Sequence, residues 1–193
     1  MLRLWKSVAV SLALLGSSLG MALEVGGNLP TLDVPSRGEL VMSGDKVSFS
    51  PWSSTSISTG SPALIFHMPA RMSSDAAIAP LRSRLEAGEY PTESFQSISV
   101  VNLDDALWGT SGLVAGELAK NKRAHPQAVL VADDAGRGLK AWQLKSRTIA
   151  VILLNAEGEI TYLKEGELSQ DDIDTIIAKL DAEIASAERV ANN

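Results

Sequence analysis

Two rhythms of apolar and polar residues alternate along the chain. Short apolar blocks recur at "PALIFHM" (Pro62–Met68), "FQSISVV" (Phe95–Val101), "AVLVAD" (Ala128–Asp133) and "TIAVILLN" (Thr148–Asn155). Each is too short for a buried helix and is bounded by turn residues, so each predicts a strand. Between them the spacing becomes helical. In Ser73–Ala87, Ile78, Leu81 and Leu85 share a face, Ser73 or Ser74 can cap the start, and Pro80 should kink the middle. Ser111–Lys120 predicts a second helix, weakened by Gly112 and Gly116. Leu139–Lys145 predicts a short third one. Ser169–Glu188 is the strongest: Ile173, Ile176, Ile177, Leu180 and Ile184 form one stripe, and Ser169 with Asp172 makes a capping-box pattern.

Upstream, Glu39–Met42 and Lys46–Phe49 predict two further short strands joined by "SGD". They follow a lead-in segment with a turn at Ser36-Arg37-Gly38. Ser50–Gly60 is rich in Ser and Thr and predicts a solvated connection. After Asn155, "AEGE" turns the chain into "ITYLK", an antiparallel hairpin. The sum is an α/β fold: a central mixed sheet, helices on both faces, and a C-terminal β-hairpin plus helix. One domain is expected over residues 23–188, with residues 189–193 frayed.

Met1–Ala22 has a different pattern. Arg3 and Lys6 precede a short apolar core at Val8–Leu15, and Gly20-Met21-Ala22 is a small-x-small cleavage signal. This predicts a secretory signal peptide, the core being too short for a membrane span. The mature chain is expected to be exported and to make no use of the membrane after cleavage. A length of 193 residues with 45% hydrophobic content suffices for one real core. The net charge of −6 argues against a nucleic-acid partner; "KNKR" at Lys120–Arg123 fits a helix end. Cysteine is absent. Thiol nucleophiles, CxxC redox pairs and cysteine metal sites are therefore excluded.

The order of elements, together with "ISVVNLDD", "HPQAVLVADDAGRGLKAWQLK" and "TIAVILLNAEGEITYLKEGELSQDDI", resembles exported thioredoxin-like proteins related to peroxiredoxins. The likeness runs from about Val25 to Leu180. "RGEL" (Arg37–Leu40), "VNLDDA" (Val101–Ala106), "AWQL" (Ala141–Leu144) and "EGELS" (Glu165–Ser169) resemble the YtfJ-type family, small periplasmic chains of unassigned activity. The resemblance implies a thioredoxin-like fold and a periplasmic location. It also places Arg71-Met72-Ser73-Ser74 where catalytic relatives carry C-x-x-C. Both thiols are missing there, and no proline stands near Thr148 or Ile149, where relatives use a cis-proline.

The candidate residues follow from that alignment. A helix start at "RMSS" offers unpaired N–H groups and a positive dipole end. With Arg71, Ser73 and Ser74 it could hold a carboxylate, phosphate or peptide terminus. The plain alternative is a serine cap beside a solvated arginine. His67 could serve as acid or base, or be a hydrogen-bonded structural residue. Asp104 and Asp105 could meet a cation or cap the next turn. Asp133-Asp134 before "AGRG" fits turn chemistry. Trp52, Trp108 and Trp142 stand out among few aromatics; Trp142 either lines the groove relatives use or packs. No catalytic residue, metal site or cofactor is assigned. The expected partner is a small anion, a peptide or a periplasmic protein. The leading reading is a binding module without redox activity. The alternative is a hydrolase or transferase using His67, Arg71 and a serine, which requires one pocket to hold all three. A third is a structural or assembly partner in the envelope.

Overall fold

The computed structural model describes residues 22–106 and 111–192. The proposed leader and Trp108 lie outside them, apart from Ala22. Seven strands form one sheet: β1 (Asp33–Ser43), β2 (Lys46–Ser53), β3 (Ala63–Pro69), β4 (Gln96–Asn102), β5 (Val129–Asp133), β6 (Ala150–Leu154) and β7 (Ile160–Glu165). Their order across the sheet is β2-β1-β5-β4-β3-β6-β7. β3, β4 and β5 are parallel, and the pairs flanking them are antiparallel. This is the mixed sheet the patterning implies. Central β3 and β6 are buried almost throughout, which is why they read as unbroken apolar runs.

Helices α1 (Met72–Ala87), α2 (Ser111–Ala124), α3 (Arg137–Ala141) and α4 (Gln170–Ala191) cover both faces. Alternate residues of β3 separate the two cores. Leu64 and Phe66 pack with Ile78 and Leu81 of α1 and with Ile173, Ile176 and Leu180 of α4. Ala63 and Ile65 pack with Trp52, Val100, Val131, Ile152 and Trp142 on the other face. Each fully buried aliphatic side chain contributes roughly 1.5–3 kcal/mol. α4 starts in the expected capping box, with Ser169 Oγ accepting from the Asp172 N–H and Asp172 bonded back to Ser169. Those bonds and Lys164 hold the Asp172 carboxyl well below the usual carboxylate range.

The structure departs from the sequence expectations in four places. The turn at Ser36-Arg37-Gly38 is an irregularity inside one long strand: register shifts between Val34 and Glu39, with Arg37 at φ +57° and Gly38 at φ +74°. Positive φ signals a turn locally, but pairing on both sides with β2 and β5 keeps the segment in the sheet. Residues 50–53 extend β2, because Trp52 is buried against the core. α1 begins at Met72 with Arg71 as its N-cap and no side-chain cap bond, so neither Ser73 nor Ser74 caps it. Finally, the short helix expected at Leu139–Lys145 is α3, which spans Arg137–Ala141, and Gln143 beyond it stands at φ +50°.

Candidate functional site

The C-terminal ends of β3, β4 and β5 bring three buried polar residues onto one face. His67 lies beside Val100 and Ala150 in register and continues the face of Ala63 and Ile65. Asn102 and Asp133 are paired neighbours on β4 and β5. His67 and Asp133 are 0% exposed and Asn102 is 1% exposed. Burial of such groups is tolerated when their hydrogen bonds are made. Asp133 accepts from the Gly138 N–H at 2.8 Å and from the Ala135 N–H at 3.3 Å. Asn102 accepts from the Asp104 N–H at 3.0 Å and donates to Asp105 Oδ2 at 2.9 Å. His67 is the exception: neither Nδ1 nor Nε2 has a partner among the described residues.

The His67 ring lies beneath α3, edge-on to Trp142 with centroids 6.1 Å apart. Burial pushes its pKa down to about 4, against the opposing pull of Asp133, Asp105 and Glu165. Gly138 makes room for it. A Cβ there would sit 3.0 Å from His67 Cδ2 and 3.3 Å from Leu32 Cδ2. Gly138→Ala is therefore expected to overpack this seam and cost about 1–3 kcal/mol in a urea melt. Trp142 is 1% exposed and its indole N–H donates to the Pro30 carbonyl at 2.9 Å. It packs as a cover on the sheet and offers no groove surface.

Arg71 and the two serines belong to a different place. "RMSS" stands at the junction of β3 and α1. Arg71 is half-buried, and its Nε donates to the Asp105 carbonyl at 3.2 Å. Its terminal guanidinium nitrogens make no hydrogen bond to the described residues. Met72 is 93% exposed, Ser73 exposed and Ser74 buried. Asp75, in the first turn, is neutralised by Arg82 at 2.6 Å. Asp104 is exposed and Asp105 half-buried, bonded to Asn102. The structure thus joins Arg71 to the Asp104–Asp105 turn. It does not join His67 to Ser73 or Ser74: the imidazole packs under α3, whereas α1 packs on the opposite face. Among the described residues, His67 and the two serines therefore belong to opposite faces of the sheet.

Sequence reasoning missed Asn102 and Gly138. Asn102 ends a strand one residue before "LDD", which marks it as a possible cap for the Leu103–Asp105 turn. Gly138 carried no local signal, because its constraint comes from a side chain 71 positions earlier in the chain.

Comparison with known proteins settles the family. The model described as "Bacterial protein of unknown function (YtfJ_HI0045)" matches residues 23–183. The chain belongs to the YtfJ family. It is similar to the uncharacterized protein YtfJ of Escherichia coli (strain K12), with 29% identity over 154 residues covering 80% of this chain and 83% of that protein. An uncharacterized protein of Haemophilus influenzae (strain ATCC 51907 / DSM 11121 / KW20 / Rd) is 31% identical over 156 residues, covering 81% and 84%. Among solved structures, the fold is similar to that of a putative thiol:disulfide interchange protein DsbE from Chlorobium tepidum. The TM-score is 0.56 at 15% identity, covering 84% of this chain and 99% of that one. This YtfJ-family chain therefore has a thioredoxin-like fold. Having no cysteine, it performs no thiol redox chemistry.

Proposed function

We propose that this YtfJ-family protein is a periplasmic binding module, exported by its N-terminal leader, that recognises an anionic group at the β3–α1 junction. The supporting observation is the setting of Arg71. Its side chain is anchored through Nε to the Asp105 carbonyl, and its forked end makes no hydrogen bond to the described residues at the start of α1, which has no side-chain cap. A planar guanidinium held in this way suits a carboxylate or phosphate, and little side-chain freedom remains to be lost on binding. The neighbouring backbone N–H groups and the positive end of the helix act in the same sense. Exposed Met72 adds an apolar contact for the body of a peptide or small acid.

The test is titration of the purified protein with inorganic phosphate and with a short peptide bearing a free C-terminal carboxylate, followed by amide chemical shifts. Shifts are expected at residues 71–75 and 103–106. Arg71→Ala should weaken binding by about 10-fold or more, the scale of a lost charge-assisted hydrogen bond of roughly 1.5–3 kcal/mol. Shifts absent from these residues, or unchanged by the substitution, would remove the reading. So would insulin reduction at rates typical of thioredoxins.

A further inference from the structure

His67 is sealed under a slight cover. α3 has five residues, is entered through Gly136 at φ +58°, and leads into Gln143 at φ +50°. Its start is held by the bond from the Gly138 N–H to Asp133. Beneath it the His67 ring has no exposed surface and no hydrogen bond. A neutral imidazole buried in this way forfeits the hydrogen bonds of both nitrogens, at a cost the packed fold can carry. An imidazolium, with two N–H donors and a full charge, cannot.

The groups around the ring set the direction of movement. Asp133 on β5, Asp105 in the turn after β4 and Glu165 at the end of β7 are the anions acting on it. Asp133 is committed to two backbone N–H groups and Asp105 Oδ2 to Asn102. Glu165 accepts from the Lys145 N–H at 2.7 Å and lies 3.9 Å from the Lys145 ammonium. The cations of α3, Arg137 and Lys140, are exposed, and Arg71 is bonded to the Asp105 carbonyl. β4 and β6 present only Val100 and Ala150 beside the ring.

We propose that His67 is an acid-operated latch on α3. A proton from solvent adds to a ring nitrogen, the charged ring draws on Asp133, and the Gly138 N–H is released. The segment 134–145 then lifts from the sheet and uncovers Trp142 and Leu32. This device is independent of anion binding at Arg71.

The sign follows from linkage. The closed form takes up its histidine proton only near and below pH 4, whereas an opened segment returns the ring toward 6.5. Between those values the open form binds more protons. Closure is therefore fully favoured above pH 6.5 and is lost progressively as pH falls toward 4. From pH 7 to pH 5 the open population should rise roughly 20-fold.

Hydrogen exchange of the purified protein at pH 7 and pH 5, corrected for intrinsic rates, tests this. Amides in 134–145 are expected to gain about 20-fold in exchange while β3 and β4 stay protected. In His67→Gln and His67→Leu the gain should vanish. An equal gain in those variants, or a uniform gain across all segments, would overturn the latch. Should both variants misfold, the wild-type imidazole spectrum decides, with His67 assigned by comparison with His125→Gln. A ring that titrates together with α3 opening supports the latch. A ring that titrates near 6.5 while α3 stays protected refutes it.

Discussion

Gly38→Ala is expected to abolish the stable fold or to lower its stability by about 4 kcal/mol or more, beyond what most point mutations do. Gly38 sits at φ +74° in the irregular part of β1. A left-handed conformation alone costs an L-residue roughly 1–2 kcal/mol. The larger cost is steric. A Cβ at Gly38 would collide with the Ser50 carbonyl oxygen and come within 2.9 Å of both the Trp52 nitrogen and the Val34 oxygen. All three are backbone atoms, so no side chain can swing aside. Relief would require β1 and β2 to separate where Trp52 enters the core. A domain of this size holds only about 5–15 kcal/mol in total. Urea unfolding should show a large fall in midpoint, or the variant should not accumulate as soluble protein. Gly44→Ala is the control. Gly44 is also left-handed, at φ +58°, but its Cβ would meet open space. It should lose only about 1–2 kcal/mol, the backbone part of the effect.

Trp142→Ala should lose about 3–5 kcal/mol, the range for deleting a large buried aromatic side chain. The indole is 1% exposed and fastens α3 to the chain at Pro30 through its N–H. Its removal would empty the space beside His67 and leave the Pro30 carbonyl without that donor. Trp142→Phe separates the contributions. It keeps an aromatic ring near His67 but loses the hydrogen bond, so a smaller loss of about 1–2 kcal/mol is expected. Parallel thermal and urea melts of both variants measure the difference. Equal stability of the two variants would show that the hydrogen bond, rather than the packed ring, secures the cover.

Much of the architecture was legible in the residues because strand and helix periodicities are local properties. The isoleucines of α4 recur at helical spacing, and its Ser169–Asp172 cap lies within a single turn. β6 needed both faces buried, and five successive apolar residues announced it. The β3–α1 junction at "RMSS" was equally visible, since the apolar run ends where the helical pattern begins. Reading stopped at contacts between distant positions. Gly38 looked like a turn because its φ is that of a turn, while its place in a sheet depends on β2 and β5. Ser73 and Ser74 looked like caps because their composition is that of caps, but Pro69–Arg71 brings the chain into helix earlier.

By itself the sequence determined that thiol and disulfide chemistry is impossible here, since folding cannot supply a cysteine that the chain does not carry. It also determined the succession of strands and helices, because apolar spacing dictates which surface each segment must hide. Tertiary structure alone decided which face of the sheet each polar group occupies. His67 and Ser74 are seven positions apart, yet the imidazole lies under α3 while Ser74 belongs to α1 on the opposite face, because successive side chains of β3 point to opposite sides and α1 covers only one of them. That division seals the imidazole from solvent and leaves Arg71 half-buried at the β3–α1 junction.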